Sequence, residues 1–273
     1  MTDSLKPLLA QYDAFLIDLW GVVHDGTALY PGVMRVITEL KMAGKPVIFL
    51  SNAPRISAKA ATNLDRLGIE KDMYQTVVTS GQVARDWLAS ATQYGPNYYY
   101  LGPSKDEDIL DGLPGYSKAP MDDADFILCT GYEFDFQPHE EILPLLDQLA
   151  TLDLPMLCVN PDLEVVKQDG TRQLCAGAVA EAYAGEVKQI GKPYPEVYAT
   201  CRAMLPKAAK LLAIGDNPLT DIRGANIAGI DSVLVTGGVL KAETGMLPSE
   251  AEARDICAIF GITPTYVLPG FSL

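Results

Sequence analysis

Phe15-Leu16-Ile17-Asp18-Leu19-Trp20-Gly21-Val22-Val23-His24-Asp25-Gly26 is the stretch whose reading decides the fold. Apolar positions lead into Asp18, and Gly21 follows three residues later. A short apolar run bounded by turn residues reads as a buried strand of a parallel sheet. A carboxylate at the carboxyl end of such a strand sits where open α/β sheets place their ligands. Taken alone, Asp18 serves equally well as a ligand-site carboxylate or as a plain strand-end cap or turn former. The rest of the chain has to separate these readings.

Working outward, strand-like runs recur at Phe15–Asp18, Pro46–Leu50, Thr76–Thr79, Asn97–Leu101, Asp125–Cys129, Pro155–Val159, Lys210–Ile214 and Ser232–Val235. Helical patterns lie between several of them. Ile56, Ala60, Leu64 and Leu67 repeat at helical spacing, with Gly68 where a left-handed C-cap is wanted. Pro195 suits the first turn of another helix that carries Val197, Cys201 and Leu205 on one face. Alternating strands and helices predict an α/β fold, a doubly wound parallel sheet with helices on both faces. The middle has another texture. Tyr94–Pro120 is rich in Gly, Pro, Asp and aromatics, including Tyr98, Tyr99 and Tyr100 in succession, and Pro144 is expected to kink or interrupt a helical pattern over Pro138–Ala150. Residues 92–186 are therefore read as an inserted second domain, and 1–91 with 187–273 as the core. The first sheet resumes near Gly191.

The chain has 273 residues, 48% hydrophobic and 21% charged, an ordinary balance for a protein with a substantial core. Met1–Tyr12 has no secretory pattern, and no apolar run approaches the roughly 20 residues that span a bilayer. Five cysteines (129, 158, 175, 201 and 257) form no CxxC pair and sit mostly among apolar residues, as in a reduced, cytoplasmic protein. The net charge of −14 argues against nucleic acid or an anionic membrane as partner. It also means that a site for an anionic substrate must supply its own positive charge, most simply a divalent metal and a lysine.

Three further stretches bear on Asp18. In Leu211–Gly224 an apolar strand ends in Gly215-Asp216, a tight Asn217-Pro218 loop follows, and Thr220 is placed to N-cap the next helix. Asp216 and Asp221 then fall at a strand end and a helix start, where both can face one point. With Asp18 they make an oxygen-rich cluster suited to Mg²⁺, although an acidic loop in solvent has the same composition. Leu50-Ser51-Asn52-Ala53 ends the second strand, and a hydroxyl with backbone N–H groups at such a turn makes an anion cradle. Gly191-Lys192-Pro193 holds a lysine in a constrained backbone that can aim its ammonium at a phosphate.

The order of these features, strand–Asp, strand–Ser, Lys before a helix, then strand–Gly-Asp with a second Asp, resembles the haloacid dehalogenase (HAD) superfamily. The closest likeness is to its class IIA branch of NagD-like and pyridoxal phosphate phosphatases. Gly131-Tyr132-Glu133, Val159-Asn160-Pro161-Asp162, Gly177-Ala178-Val179, Gly191-Lys192-Pro193, Gly215-Asp216 with Thr220-Asp221-Ile222, and Leu234–Val239 all look like that branch. The resemblance implies a Mg²⁺-dependent phosphatase for a small phosphorylated metabolite, with Asp18 as the nucleophile that forms an aspartyl-phosphate. It implies that Asp18, the backbone carbonyl of Trp20 and Asp216 bind the metal, with Asp221 close by through water or from behind. Ser51 and the Asn52 backbone would hold phosphoryl oxygens, and Lys192 would neutralise Asp18 and the phosphate. The inserted domain corresponds to the family's cap, which closes over the site, and through which the family tends to form homodimers.

The sequence departs from the resemblance at Trp20. The family's phosphatases carry there a second Asp that protonates the leaving group and then activates water. An indole N–H donates a hydrogen bond but exchanges no proton near neutral pH, and a positioned acid–base group is worth about 10²–10⁴-fold. Three readings follow. The chain is a phosphatase for good leaving groups, or one with a substitute proton carrier for which His24 and Asp25 are the candidates. It is a non-catalytic phosphate- or nucleotide-binding relative. Or it is a C–halogen hydrolase, since the superfamily's dehalogenases also carry an aromatic here, though they have no need of Asp216 and Asp221 as metal ligands.

Overall fold

The computed structural model describes residues 4–90, 93–166 and 171–273. Thirteen strands are seen among them. β1 (Ala14–Ile17), β2 (Val47–Ser51), β3 (Thr76–Thr79), β11 (Leu211–Gly215), β12 (Asp231–Val235) and β13 (Tyr266–Leu268) form one sheet. β4 (Asn97–Leu101), β5 (Ser117–Lys118), β6 (Phe126–Cys129), β7 (Met156–Cys158) and β10 (Val187–Gln189) form a second, and β8 (Glu164–Val166) with β9 (Arg172–Leu174) a hairpin. The helices are α1 (Val33–Met42), α2 (Ser57–Arg66), α3 (Ser80–Leu88), α4 (His139–Thr151), α5 (Ala176–Ala182), α6 (Pro195–Ala203), α7 (Arg223–Ala228), α8 (Val239–Thr244) and α9 (Glu250–Ile259).

The first sheet is parallel throughout in the order β13-β12-β11-β1-β2-β3. The chain runs outward from β1 to β3 and later from β11 to β13 on the other side, so the order reverses between β1 and β11. That reversal opens a crevice beyond the carboxyl ends of the two strands. The apolar runs explain the burial, since parallel strands covered on both faces need side chains that tolerate the interior on both. Phe15, Ile17, Phe49, Leu212 and Ile214 pack with Val36, Ile37 and Leu40 of α1 and Leu64 of α2. Leu16, Ile48, Leu50 and Ala213 face the other way, against Val83 and Leu88 of α3 and Val197 and Cys201 of α6. That second core continues through Tyr98, Tyr100, Phe126, Leu128 and Leu157, so one face of the second sheet shares it. Its other face packs on Ile142, Leu146 and Leu149 of α4 and Val179 of α5. Each apolar side chain fully buried this way contributes roughly 1.5–3 kcal/mol.

Several sequence expectations are corrected here. Thr220 caps no helix: residues Pro218–Ile222 form one wide turn that runs straight into α7, and the cap is Asn217, whose Oδ1 accepts from the Leu219 N–H at 2.9 Å. Pro144 does not interrupt α4, because it lies on the helix's exposed side, where the carbonyl deprived of a donor meets water. Val187–Gln189, assigned to the core by the 187 boundary, pairs with β7 on the edge of the second sheet, and the chain returns to the first sheet after Ile190. The other expected boundary, at 91/92, lies outside the described residues. Tyr98 and Tyr100 are core, while the tail closes on the N-terminal segment: the Leu5 N–H donates to the Ser272 carbonyl at 3.0 Å and Phe271 is buried. Among the described residues, no helix is long and apolar enough to cross a membrane.

Candidate active site

Asp18 follows β1, Ser51 ends β2, and Asp216 follows β11, so three neighbouring parallel strands deliver three polar groups to one crevice. Lys192 enters from the loop before α6, and Asp221 from the wide turn before α7. All five are buried. The Lys192 ammonium donates to Asp18 Oδ1, and to Asp221 Oδ1 at 2.7 Å. Oxygens of Asp18, Asp216 and Asp221 lie within 4.8 Å of one another.

Backbone shape makes room for this crowding. Gly21 sits at φ +83°, and a Cβ there would meet Asp216 Oδ2 at 2.0 Å, as would one on Gly238. The Asp216 carboxylate is thus clasped between two glycines, and its Oδ2 accepts the Val239 N–H at 2.8 Å. Burial, then the neighbouring Asp221, push the Asp216 carboxyl up to about 7. Burial also raises Asp18 well above the ordinary carboxylate range, with Lys192 opposing and Asp221 and Asp216 adding to the rise. Burial works against the Lys192 charge, but Asp18, Asp221 and Asp162 outweigh it and hold the ammonium protonated. Three buried carboxylates therefore face one ammonium. Uncompensated buried charge is costly, and the donor set is all oxygen, as Mg²⁺ prefers. The residues fit a divalent cation.

The crevice opens into a cavity of about 980 Å³ between the two sheets and the β8–β9 hairpin. Asp18, Ser51, Asn52, Lys192, Asp216 and Asp221 line one end, and Trp20, Asp25, Arg55, Asp106, Asp162 and Val166 line further walls. Ser51 Oγ accepts the Ala53 N–H at 3.2 Å. Trp20 is half-buried and its indole N–H donates to the Val166 carbonyl at 3.0 Å.

Residues 15–113 match the family model described as haloacid dehalogenase-like hydrolase, and residues 189–270 match a second HAD-hydrolase-like model. A solved haloacid dehalogenase-like hydrolase from Brucella suis 1330 superposes with a TM-score of 0.85 at 30% identity, covering 99% of both chains. The chain belongs to the haloacid dehalogenase-like hydrolase family. Sugar-phosphatase AraL of Bacillus subtilis is 29% identical over 234 residues, 83% of this chain and 84% of that one. Glycerol-3-phosphate phosphatase of Gallus gallus is 25% identical over 289 residues, 97% of this chain and 91% of that one. Such relatives are of the class IIA, NagD-like kind that the motifs resemble.

Within this family frame, His24 and Asp25 do not join the carboxylate cluster. His24 is buried off the cavity lining, its Nδ1 accepts the Gly26 N–H at 3.0 Å, and burial lowers it to about 4. Asp25 reaches the cavity wall, but its Oδ1 accepts the N–H groups of Thr27 and Ala28. Although burial pushes the other way, those amides hold it below the ordinary carboxylate range. Sequence reasoning assigned Asn52 by its backbone and gave Asp162 no role. The Asn52 side chain donates to Asp162 Oδ1 (2.9 Å) and the Lys192 carbonyl (3.0 Å), and accepts the Lys192 N–H at 2.6 Å. Burial raises Asp162 to about 6, against the pull of Lys192 and the Asn52 amide. The likeness of Val159-Asn160-Pro161-Asp162 to the class IIA branch is the sequence signal that bears on it.

Proposed function

We propose that this protein is a phosphatase that acts on a small phosphorylated metabolite through an aspartyl-phosphate on Asp18. The observation that carries the reading is the buried Asp18–Lys192–Asp221 contact with Asp216 beside it, at the reversal point of the sheet. The named phosphatases among its relatives support the reaction class.

The Asp18 and Asp216 carboxylates and the Trp20 carbonyl are assigned to Mg²⁺, with Asp221 behind them. When bound, the cation neutralises charge on the phosphoryl oxygens and on the carboxylates, which phosphoryl transfer needs more than covalent ingenuity. Lys192 holds Asp18 in line and carries the remaining positive charge. Ser51 and the Asn52 N–H hold two phosphoryl oxygens. A carboxylate oxygen of Asp18 forms the new bond to phosphorus as the bond to the leaving oxygen breaks. Water then attacks the aspartyl-phosphate, which restores Asp18 and releases inorganic phosphate. Splitting one hard displacement into two easier ones is the advantage of the covalent route.

The leaving oxygen departs without a carboxylic acid at position 20. With His24 off the cavity and the Asp25 carboxylate committed to two amides, the reading favours substrates whose leaving groups depart without protonation. The second sheet, β10 included, with its helices and the β8–β9 hairpin is assigned as the cap that shields the site from water. The test is chemical trapping: after mixing with Mg²⁺ and p-nitrophenyl phosphate and quenching in acid, the peptide containing Asp18 carries a phosphoryl group that hydroxylamine removes. Asp18→Asn abolishes the adduct and lowers turnover by on the order of 10⁴-fold or more, as removal of a nucleophile does. Undiminished turnover in Asp18→Asn contradicts the proposal.

A further inference from the structure

Position 20 has lost the family's proton carrier, yet its side chain is held at several points. The Trp20 indole N–H donates to the Val166 carbonyl at 3.0 Å, joining the turn after β1 to β8 across 146 residues of sequence. The six-membered part of the indole lies against Gly26, where a Cβ would meet ring carbons at 2.7 and 2.9 Å, so any larger residue would push the ring out. The His24 ring stands against it edge-on, with centroids 6.1 Å apart at 82°. That His24 is itself fixed, by the Gly26 N–H on its Nδ1.

On the far side of this contact, β8 and β9 carry cavity-lining groups. Glu164, Val165, Val166, Gln173 and Leu174 all face the cavity, and Arg172 pairs with Glu164 across the hairpin. The hairpin is a separate two-stranded unit outside both larger sheets. A two-stranded hairpin alone is marginal in water, so it takes its position from what it leans on.

We propose that Trp20 is a positioning residue: a strut that fixes the β8–β9 hairpin against the core and so sets the room left for the leaving group. The residue type explains the choice. An indole is a long rigid plate with one donor at its edge, and it spans from the nucleophile's turn to the opposite wall. An Asp at the same place is too short to do so. Which leaving group is admitted rests on the phosphatase reading; the strut itself does not.

The two are separable by experiment. Amide hydrogen exchange on the intact chain, without metal or substrate, is compared between the native protein and Trp20→Phe, which keeps a ring and removes the donor. Exchange of the strand amides in 164–166 and 172–174 accelerates roughly fivefold, the worth of one neutral hydrogen bond, while 211–215 is unchanged. Unchanged hairpin exchange overturns the strut, whatever the protein catalyses. With p-nitrophenyl phosphate and a bulkier aryl phosphate, the same variant narrows the difference in KM between the two. A KM ratio that stays as in the native protein overturns the role in selection. Should Trp20→Phe fail to fold, Trp87→Phe leaves Trp20 as the single indole. Acrylamide then quenches it severalfold more slowly than free tryptophan amide, and equal quenching overturns the contact.

Discussion

Asp216 is the residue whose protonation reports most on the site. Its carboxyl rises from 3.8 to about 7 in the folded chain, chiefly through burial. A folded-state value above the unfolded one means the folded protein holds the proton more tightly. The stabilisation is then full below about pH 4 and is lost as the pH climbs through about 7. A cation at the cluster has to displace that proton, so Mg²⁺ affinity weakens below about pH 7, by up to tenfold per pH unit for one proton displaced. Titration calorimetry near pH 6 and pH 8, in buffers of different ionisation enthalpy, should show proton release growing toward the acid side. Equal affinity with no proton release contradicts the placement of the ion. Asp18, Ser51, Lys192 and Asp216 were legible in the sequence because each stands at the end of an apolar strand or between a Gly and a Pro. The Asn52 side chain was not, because its partners are 110 and 140 residues away and only the fold brings them together.

At the scale of elements, Asn52 joins three of them. It stands just past β2 and holds both the Lys192 peptide group and the loop from β7 that carries Asp162. Asn52→Ala strands the buried Lys192 N–H without a partner, and an orphaned buried donor costs about 1–3 kcal/mol. The expected result is a lower midpoint of thermal unfolding, together with a raised KM, because the lysine loses its backbone anchor. An unchanged midpoint contradicts that role. The eight strand-like runs read from sequence all became strands, since unbroken apolar residues are what a parallel sheet with both faces covered requires. β5, β8, β9, β10 and β13 were not legible there: each is only two or three residues long and is held in place by its neighbours rather than by its own pattern. The turn at Pro218–Ile222 escaped for a related reason, since Thr220 has capping chemistry but Asn217 comes first in the chain and takes the role.

At the scale of the whole molecule, the net charge of −14 and the cavity between the sheets impose one condition. An anionic substrate has to meet concentrated positive charge at one end of the cavity; Lys192 stands there, and in the proposed function a divalent ion on Asp18 and Asp216 would add to it. The family and its α/β architecture were legible from the order of motifs along the chain. What Trp20 does was not, because its partner, the Val166 carbonyl, is a backbone atom that no side-chain pattern announces. In the proposed function, Asp18 attacks with no proton donor at position 20, so the bond to the leaving group bears the whole burden. The direct measurement is the dependence of kcat/KM on leaving-group pKa, taken over a series of aryl and alkyl phosphates with Mg²⁺. The native protein should show a steep fall as leaving-group pKa rises. Trp20→Asp should flatten the slope and raise the rate on alkyl phosphates, by up to the 10²–10⁴-fold that a positioned acid supplies. A flat dependence in the native protein would contradict the assignment.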